Sequence, residues 1–526
     1  MKLTRARAII ILLTVGLFLF TFKLGERSLW DSDETRTAEI AREMMERGDY
    51  LIPHLNGQPL PTKPPLYHWL IVLFSSIPGE VTAITARLPA ALLGIGGLII
   101  TFLLGERLLG RTAGFMGALI LATSNEYWWL SRFARVDMSL TFFFTLALFA
   151  LYIFLKEGKL SHLILWYICL GLATVAKGPV GVALPVITLL AYLAVTRGLG
   201  KIKEFRPALG LGVLTVVILP WYLTAYFKAG PDYLRYMIIG ESATRFLGIG
   251  EFFRHQPPWF YIPHLLAKFF PWSFFLPLGL WQAFRRESGE NKKELMFLLT
   301  WFVVVFIFFS ASFVKHSRYL LPLYPAASLL VAGAWSKVPS NRLYLSAWLL
   351  LGLLFFTALA LPAYARLKVP EHFAPSLFAA LLLFCVGLII LGFVRLKRPG
   401  GIFAVIFSAT ALVLTLYSIY LVPHVDAVKS TRSFAAQLTS VVSPQDDLRA
   451  YRLLKPGLFF YSRRYIPLLV NEQELLNLKG SDKRVYVLMY DKEYKRMSAH
   501  PGFPFQFVFR GTIDDHKRVV LVKGGK

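Results

Sequence analysis

Apolar residues in this chain come in runs of about 17–25, the length at which a helix crosses a ~30 Å hydrocarbon core. About thirteen such runs are predicted to span. They lie near 8–23, 84–105, 113–131, 137–155, 161–177, 180–196, 208–227, 259–282, 295–311, 318–335, 343–362, 374–394 and 402–422. The run LYHWLIVLFSSI, 66–77, is too short to cross. With Tyr67 and Trp69 it is predicted to lie flat as an interfacial helix. The first run, MKLTRARAIIILLTVGLFLFTF, has the outline of a secretion signal but no small-residue cleavage site, so a retained anchor helix is expected.

Beyond residue 422 the period changes. RVYVLMY and RVVLVKG alternate as strands do, whereas NEQELLNL and KSTRSFAAQLTSVV read as amphipathic helices. The expected architecture is therefore a polytopic α-helical membrane domain, 1–422, followed by a small α/β domain, 423–526. Basic residues set its orientation. Lys2, Arg5 and Arg7 precede the first run, and alternate loops repeat the theme through Arg107 and Arg111, Lys156 and Lys159, RGLGKIKEFR, RRESGENKK, SKVPSNR and RLKRPG. Positive charge stays inside, so the N-terminus is expected to be cytoplasmic. An odd number of spans then puts the C-terminal domain outside, in the periplasm. Two long loops, 24–83 and 228–258, share that outer side.

Composition agrees with a membrane protein: 56% of the 526 residues are hydrophobic and 17% charged. A net charge of +26 would point to nucleic acid in a soluble protein. Here Lys and Arg belong to membrane-flanking loops, and their counter-charges are expected to be anionic headgroups or a phosphorylated lipid substrate, not nucleic acid. Cys169 and Cys385 both sit inside apolar runs and form no metal motif.

Helix centres carry almost no ionisable residues, which argues against an ion-coupled transport path. Acids and bases collect instead at helix ends and in the outward loops. In LWDSDETRTAEIAREM, 29–44, Asp31 and Glu34 have the spacing of a helix capping box. Asp33 and Arg36 share one helical face, either as a weak surface pair or as a carboxylate beside a phosphate-binding fork. In NGQPLPTKPPLYHW, Lys63 is pinned between prolines and loses little backbone entropy on meeting an anion; the bland alternative is a snorkelling lysine. RFARVD supplies Arg132, Arg135 and Asp137, AKGP supplies Lys177, and FFSASFVKHSRYLLPLYP supplies Lys315, His316, Arg318 and Tyr319. Each alone is an ordinary interface anchor. Together, on the side the positive-inside trend leaves poor in cations, they suggest one shared anion.

The combination DETRTAEIAREM…GDYLIPHLNG…KPPLYHW resembles the first outer loop of the lipid A aminoarabinose transferase and protein O-mannosyltransferase-like family. These are GT-C glycosyltransferases that use polyprenyl-phosphate sugars. RFARVD, AKGP, HQPPWFYIP, LAKFFPW and FSASFVKHSRYLLPLYP follow in family order, so the likeness covers roughly residues 5–335. It implies a GT-C-like fold with interfacial helices on the outer face. It implies Asp33 as the catalytic or acceptor-orienting carboxylate and Asp137 as the second-loop aspartate. Arg36 and Lys63 would hold the lipid phosphate, and Lys177 and Tyr319 match pocket residues; Arg318, taken from the outward basic residues and not from the resemblance, is assigned to the same phosphate. The donor would be a polyprenyl-phosphate-linked sugar, and the acceptor lipid A, another glycolipid or a protein, at the outer face of the inner membrane.

One departure concerns metal. Family members near the aminoarabinose enzyme often carry a carboxylate just before the lysine, associated with a bound ion; here the stretch is Leu60-Pro61-Thr62. His255 is then a candidate metal ligand without its partner. Departure of a lipid monophosphate needs no cofactor where fixed cations are in place, and metal dependence stays open. The competing reading is a flippase for the same lipid, which calls for paired broken helices in two repeats; the sequence has none evident.

Overall fold

The computed structural model describes residues 3–30, 33–249, 256–285, 292–337, 340–370, 373–480, 484–500 and 502–524. Helix α1 (Arg5–Thr21) is opened by Thr4, whose hydroxyl accepts a hydrogen bond from the Arg7 N–H. Helix α2 (Asp33–Arg47) has Asp33 and Glu34 in its first turn and Arg47 in its last, the order that the helix dipole favours. Asp31 falls outside the described residues. A hairpin of β1 (His54–Leu55) and β2 (Gln58–Pro59) turns at Asn56-Gly57, both at positive φ. Helix α3 (Leu66–Ser75) starts immediately after Pro64-Pro65. A Thr82–Thr85 capping box opens α4 (Ala83–Leu109). There follow α5 (Arg111–Ala122), α6 (Asn125–Leu130), α7 (Asp137–Glu157), α8 (Leu160–Lys177) and α9 (Val180–Val195). Longer helices at Pro207–Ala229, Lys292–Ala311, Ser340–Lys368, Phe373–Arg395 and Pro399–Leu416 complete the membrane part with Tyr324–Lys337.

Among the described residues nine helices are long and apolar enough to cross a membrane. This is fewer than the runs counted in the sequence, and local chemistry explains the difference. The run at 113–131 divides into α5 and α6 because the Thr123 and Ser124 hydroxyls both bond back to carbonyls of the preceding turn, at 2.8 Å each. The run at 259–282 breaks into Tyr261–Lys268 and Leu276–Arg285 with short 3-10 turns beside Pro258 and Pro271. Helix α1, apolar beyond Arg7, and helix α9 have only 17 and 16 residues.

The C-terminal residues form a five-stranded mixed sheet in the order β4-β3-β5-β7-β6. Its strands are β3 (Asp447–Tyr451), β4 (Leu468–Leu469), β5 (Val485–Tyr490), β6 (Gln506–Ile513) and β7 (Lys517–Gly524). RVYVLMY and RVVLVKG become β5 and β7, paired antiparallel. The sheet's apolar layer is continuous with the segment between α1 and α3: Ile40, Met44 and Leu55 share a core with Phe434, Leu438, Leu458 and Leu488. Asn56 locks the contact, its side chain exchanging hydrogen bonds of 2.8 and 2.7 Å with the Ile466 backbone.

Helices α4 and α5 meet through glycine. A Cβ placed on Gly114 would lie 2.5 Å from the Glu106 amide nitrogen and 2.7 Å from the Phe102 carbonyl. Close backbone approach of this kind replaces hydrophobic drive where lipid is the solvent. Gly114→Leu is therefore expected to cost about 1–3 kcal/mol or more and to lower the melting temperature in detergent. Gly212→Leu, at a position with nothing within 4 Å, is expected to leave it unchanged.

Candidate active site

The site is built on the first turn of α2. Glu34, 0% exposed, points away from solvent and receives two arginines. Arg27 reaches it with bonds of 2.7 and 3.1 Å, and Arg87 of α4 with 2.8 and 2.9 Å. The remaining Arg87 donors go to the carbonyls of Leu24, Arg27 and Ser28, so all five of its N–H groups are used. Glu34 also accepts from the amides of Trp30 and Ala134, at 3.1 and 3.0 Å. Burial alone would raise its pKa, but Arg27 and Arg87 more than offset this and hold the carboxyl at about 2. Burial, then Arg87, lower Arg27 to about 10 in spite of Glu34, which leaves it charged at neutral pH.

The Ala134 contact brings the RFARVD turn against α2, and the side chains on either side of it meet. Asp33 is bonded to Arg36 at 2.6 Å through one oxygen and to Arg135 through the other. Asp137, 4% exposed at the start of α7, is held by Lys177 at 2.6 Å, with Arg135 at 3.6 Å and Arg318 at 3.8 Å. Lys177 and Arg318 both lie over the Tyr319 ring, at 4.8 and 5.7 Å from its centre. Lys63 comes from the proline-rich segment before α3 and pairs at 3.2 Å with Glu241, from the segment after the Pro207–Ala229 helix.

All seven residues picked from the sequence, Asp33, Arg36, Lys63, Asp137, Lys177, Arg318 and Tyr319, line one cavity of about 300 Å³. The start of α7 and the end of α8 both contribute, which puts the cavity at one end of the antiparallel spans. Five cations (Arg36, Lys63, Arg135, Lys177, Arg318) face three carboxylates (Asp33, Asp137, Glu241), a surplus of two positive charges. That balance suits a phosphate group. His68 and His316 also line the wall; burial, followed by neighbouring arginines, lowers them to about 3 and about 4, so both rings are neutral.

The sequence reading left Arg135 among the interface anchors and did not single out Glu241 or His68. Arg135 was within reach, being two residues from Asp137. Glu241 and His68 carry no local signal, since their relevance comes from packing across the chain. His255 lies outside the described residues. Thr62 is on the cavity wall with a hydroxyl where a metal site would need a carboxylate, and the described residues contain no group of three His, Cys, Asp or Glu that could hold a metal.

A second cavity is larger and mostly apolar. It has about 610 Å³ and is lined by Trp30, Trp129, Phe133, Leu354, Val386 and Ile390 among others. Trp30 and Phe133 are close in sequence to Asp33 and Arg135, so the apolar and charged cavities are built on the same two loops.

Comparison with known proteins gives the same class. Residues 62–223 match the family described as dolichyl-phosphate-mannose-protein mannosyltransferase. The undecaprenyl phosphate-alpha-4-amino-4-deoxy-L-arabinose arabinosyl transferase of Aeromonas hydrophila is 30% identical over 400 residues, covering 73% of this chain and 71% of that protein. Its Pseudomonas aeruginosa counterpart is 30% identical over 443 residues, 81% of this chain and 78% of the relative. The crystal structure of ArnT from Cupriavidus metallidurans bound to undecaprenyl phosphate superposes with a TM-score of 0.82 at 23% identity, covering 98% of this chain and 97% of that one. An Archaeoglobus fulgidus oligosaccharyltransferase shares the fold more distantly, with a TM-score of 0.51 over 96% of this chain and 72% of its own at 12% identity. The chain is a membrane-embedded glycosyltransferase of the GT-C class. Within that class it belongs to the undecaprenyl phosphate-aminoarabinose arabinosyl transferase family.

Removing the Glu34 carboxylate strands two buried guanidiniums. Glu34→Ala is expected to cost roughly 3–5 kcal/mol, read as a lower melting temperature. The pH dependence has a defined sign. The folded-state pKa of Glu34, about 2, is below its ordinary 4.5, so the stability it contributes is complete above 4.5 and is lost as pH falls towards 2. Wild type is expected to lose more stability than Glu34→Gln across that window in acid-unfolding curves.

Proposed function

We propose that this glycosyltransferase moves a sugar from a polyprenyl-phosphate donor to an envelope acceptor, lipid A in the first place, at the periplasmic face of the inner membrane. The carrying observation is the convergence of Asp33, Arg36 and Lys63 with Arg135, Lys177 and Arg318 on one cavity with surplus positive charge. The donor phosphate meets Lys63 and Arg36. As the bond between the anomeric carbon and the phosphate oxygen breaks, its electron pair goes to that oxygen, and the fixed cations stabilise the departing monophosphate. The acceptor oxygen attacks from the opposite face, so configuration inverts. With a hydroxyl acceptor, Asp33 takes the proton; with an ionised phosphate acceptor no proton moves and Asp33 orients the attacking group. Asp137, enclosed by three cations, keeps them in place. Holding both partners at the boundary supplies proximity. The apolar cavity beside Trp30 and Phe133 receives lipid hydrocarbon. The N-terminus is cytoplasmic and the C-terminal sheet periplasmic, on the evidence of the basic loops.

The aminoarabinose named for the relatives is the first sugar to test. Purified protein in nanodiscs, given undecaprenyl-phosphate-linked 4-amino-4-deoxy-L-arabinose and lipid A, is expected to form glycosylated lipid A detectable by mass spectrometry. Asp33→Asn should lower the rate about 10²–10⁴-fold while melting stays near wild type, since Asp33 is partly exposed at 28%. Movement of the lipid across the bilayer without a new glycosidic bond would instead identify a flippase.

A further inference from the structure

One side chain on the wall of the charged cavity takes no part in its ion pairs. His68 stands in the first turn of α3, just past the Lys63-Pro64-Pro65 segment, and is 3% exposed. It lines the cavity together with Asp33, Arg36 and Lys63. Its Nδ1 is buried and has no hydrogen-bond partner. His316, the other imidazole, is engaged differently, packed edge-on against Tyr319 at 5.2 Å. Buried polar atoms in native proteins are matched in the great majority of cases, and an unmatched one at a ligand cavity calls for a partner that arrives with the ligand.

The chemistry of the ring restricts that partner. Burial, helped by the charge of Arg36, keeps the ring neutral, so it has one N–H and one acceptor nitrogen. A phosphate oxygen only accepts, so it satisfies this nitrogen in one tautomer and is repelled in the other. The phosphate is in any case provided for by five cations. A hydroxyl both donates and accepts, and so satisfies the free nitrogen in either tautomer. In a polyprenyl-phosphate sugar the hydroxyls are all on the sugar ring.

We propose that His68 hydrogen-bonds a hydroxyl of the donor sugar and is a sugar-recognition residue of this enzyme, distinct from the cations that hold the phosphate. The assignment rests on the reaction proposed above. It predicts a split between two probes. With undecaprenyl-phosphate-linked 4-amino-4-deoxy-L-arabinose, His68→Phe should raise KM about 3–10-fold, the worth of one neutral hydrogen bond. Binding of undecaprenyl phosphate without sugar, measured on the same full-length protein in nanodiscs, should change less than about two-fold. His68→Asn, which keeps a donor and an acceptor, should recover a substantial part of the loss. An unchanged KM in His68→Phe, or equal weakening of both probes, would overturn the assignment and leave the reaction standing. Failure of wild type to transfer sugar would overturn the reaction and the assignment together.

Discussion

A single buried carboxylate sets the geometry around the charged cavity. Glu34 joins Arg27 from the loop after α1, Arg87 from α4 and the Ala134 amide before α7. A buried ion pair contributes little net stability compared with apolar packing, because desolvation cancels most of the attraction. What it imposes is register. Three segments can satisfy Glu34 together only in one arrangement, and in that arrangement Asp33, the neighbouring residue, faces Arg135. The chemically exposed acid is thus aimed by a hidden one.

The charged cavity follows the same logic. Each acid in it is matched to at least one cation, yet the cations are in excess. The internal pairs keep long side chains ordered before a ligand arrives, and the excess leaves a demand for negative charge of the kind a phosphate would meet. The apolar cavity draws on the same two loops, through Trp30 and Phe133.

Much of this was legible in the sequence, and the reasons differ from residue to residue. Asp33 and Arg36 are three apart on one helix, and Lys63 is fixed by flanking prolines, so local spacing carried them. Asp137, Lys177, Arg318 and Tyr319 stood out as polar residues at the ends of apolar runs. Glu34 has the spacing of a capping box with Asp31, which lies outside the described residues; its two arginine partners are 7 and 53 residues away, where no local pattern points to them. Glu241 meets Lys63 across 178 residues, a pairing no local pattern reveals. Thirteen apolar runs are legible in the sequence, but where Thr123, Ser124 and a series of prolines divide them into shorter helices is not, because the hydrophobicity itself is continuous.

The last membrane helix has a consequence for how this enzyme is made. It runs on to Asp426, which binds the Ser28 amide at 3.1 Å and the Trp30 indole at 2.7 Å, while Tyr461 holds the Leu29 amide at 2.6 Å. These contacts join residues 396–432 positions apart. During synthesis the loop bearing Asp33 therefore waits for these partners until most of the polypeptide, through Tyr461, has left the ribosome. Its final clamp closes last, so an interrupted translation product would insert into the membrane without a set active site.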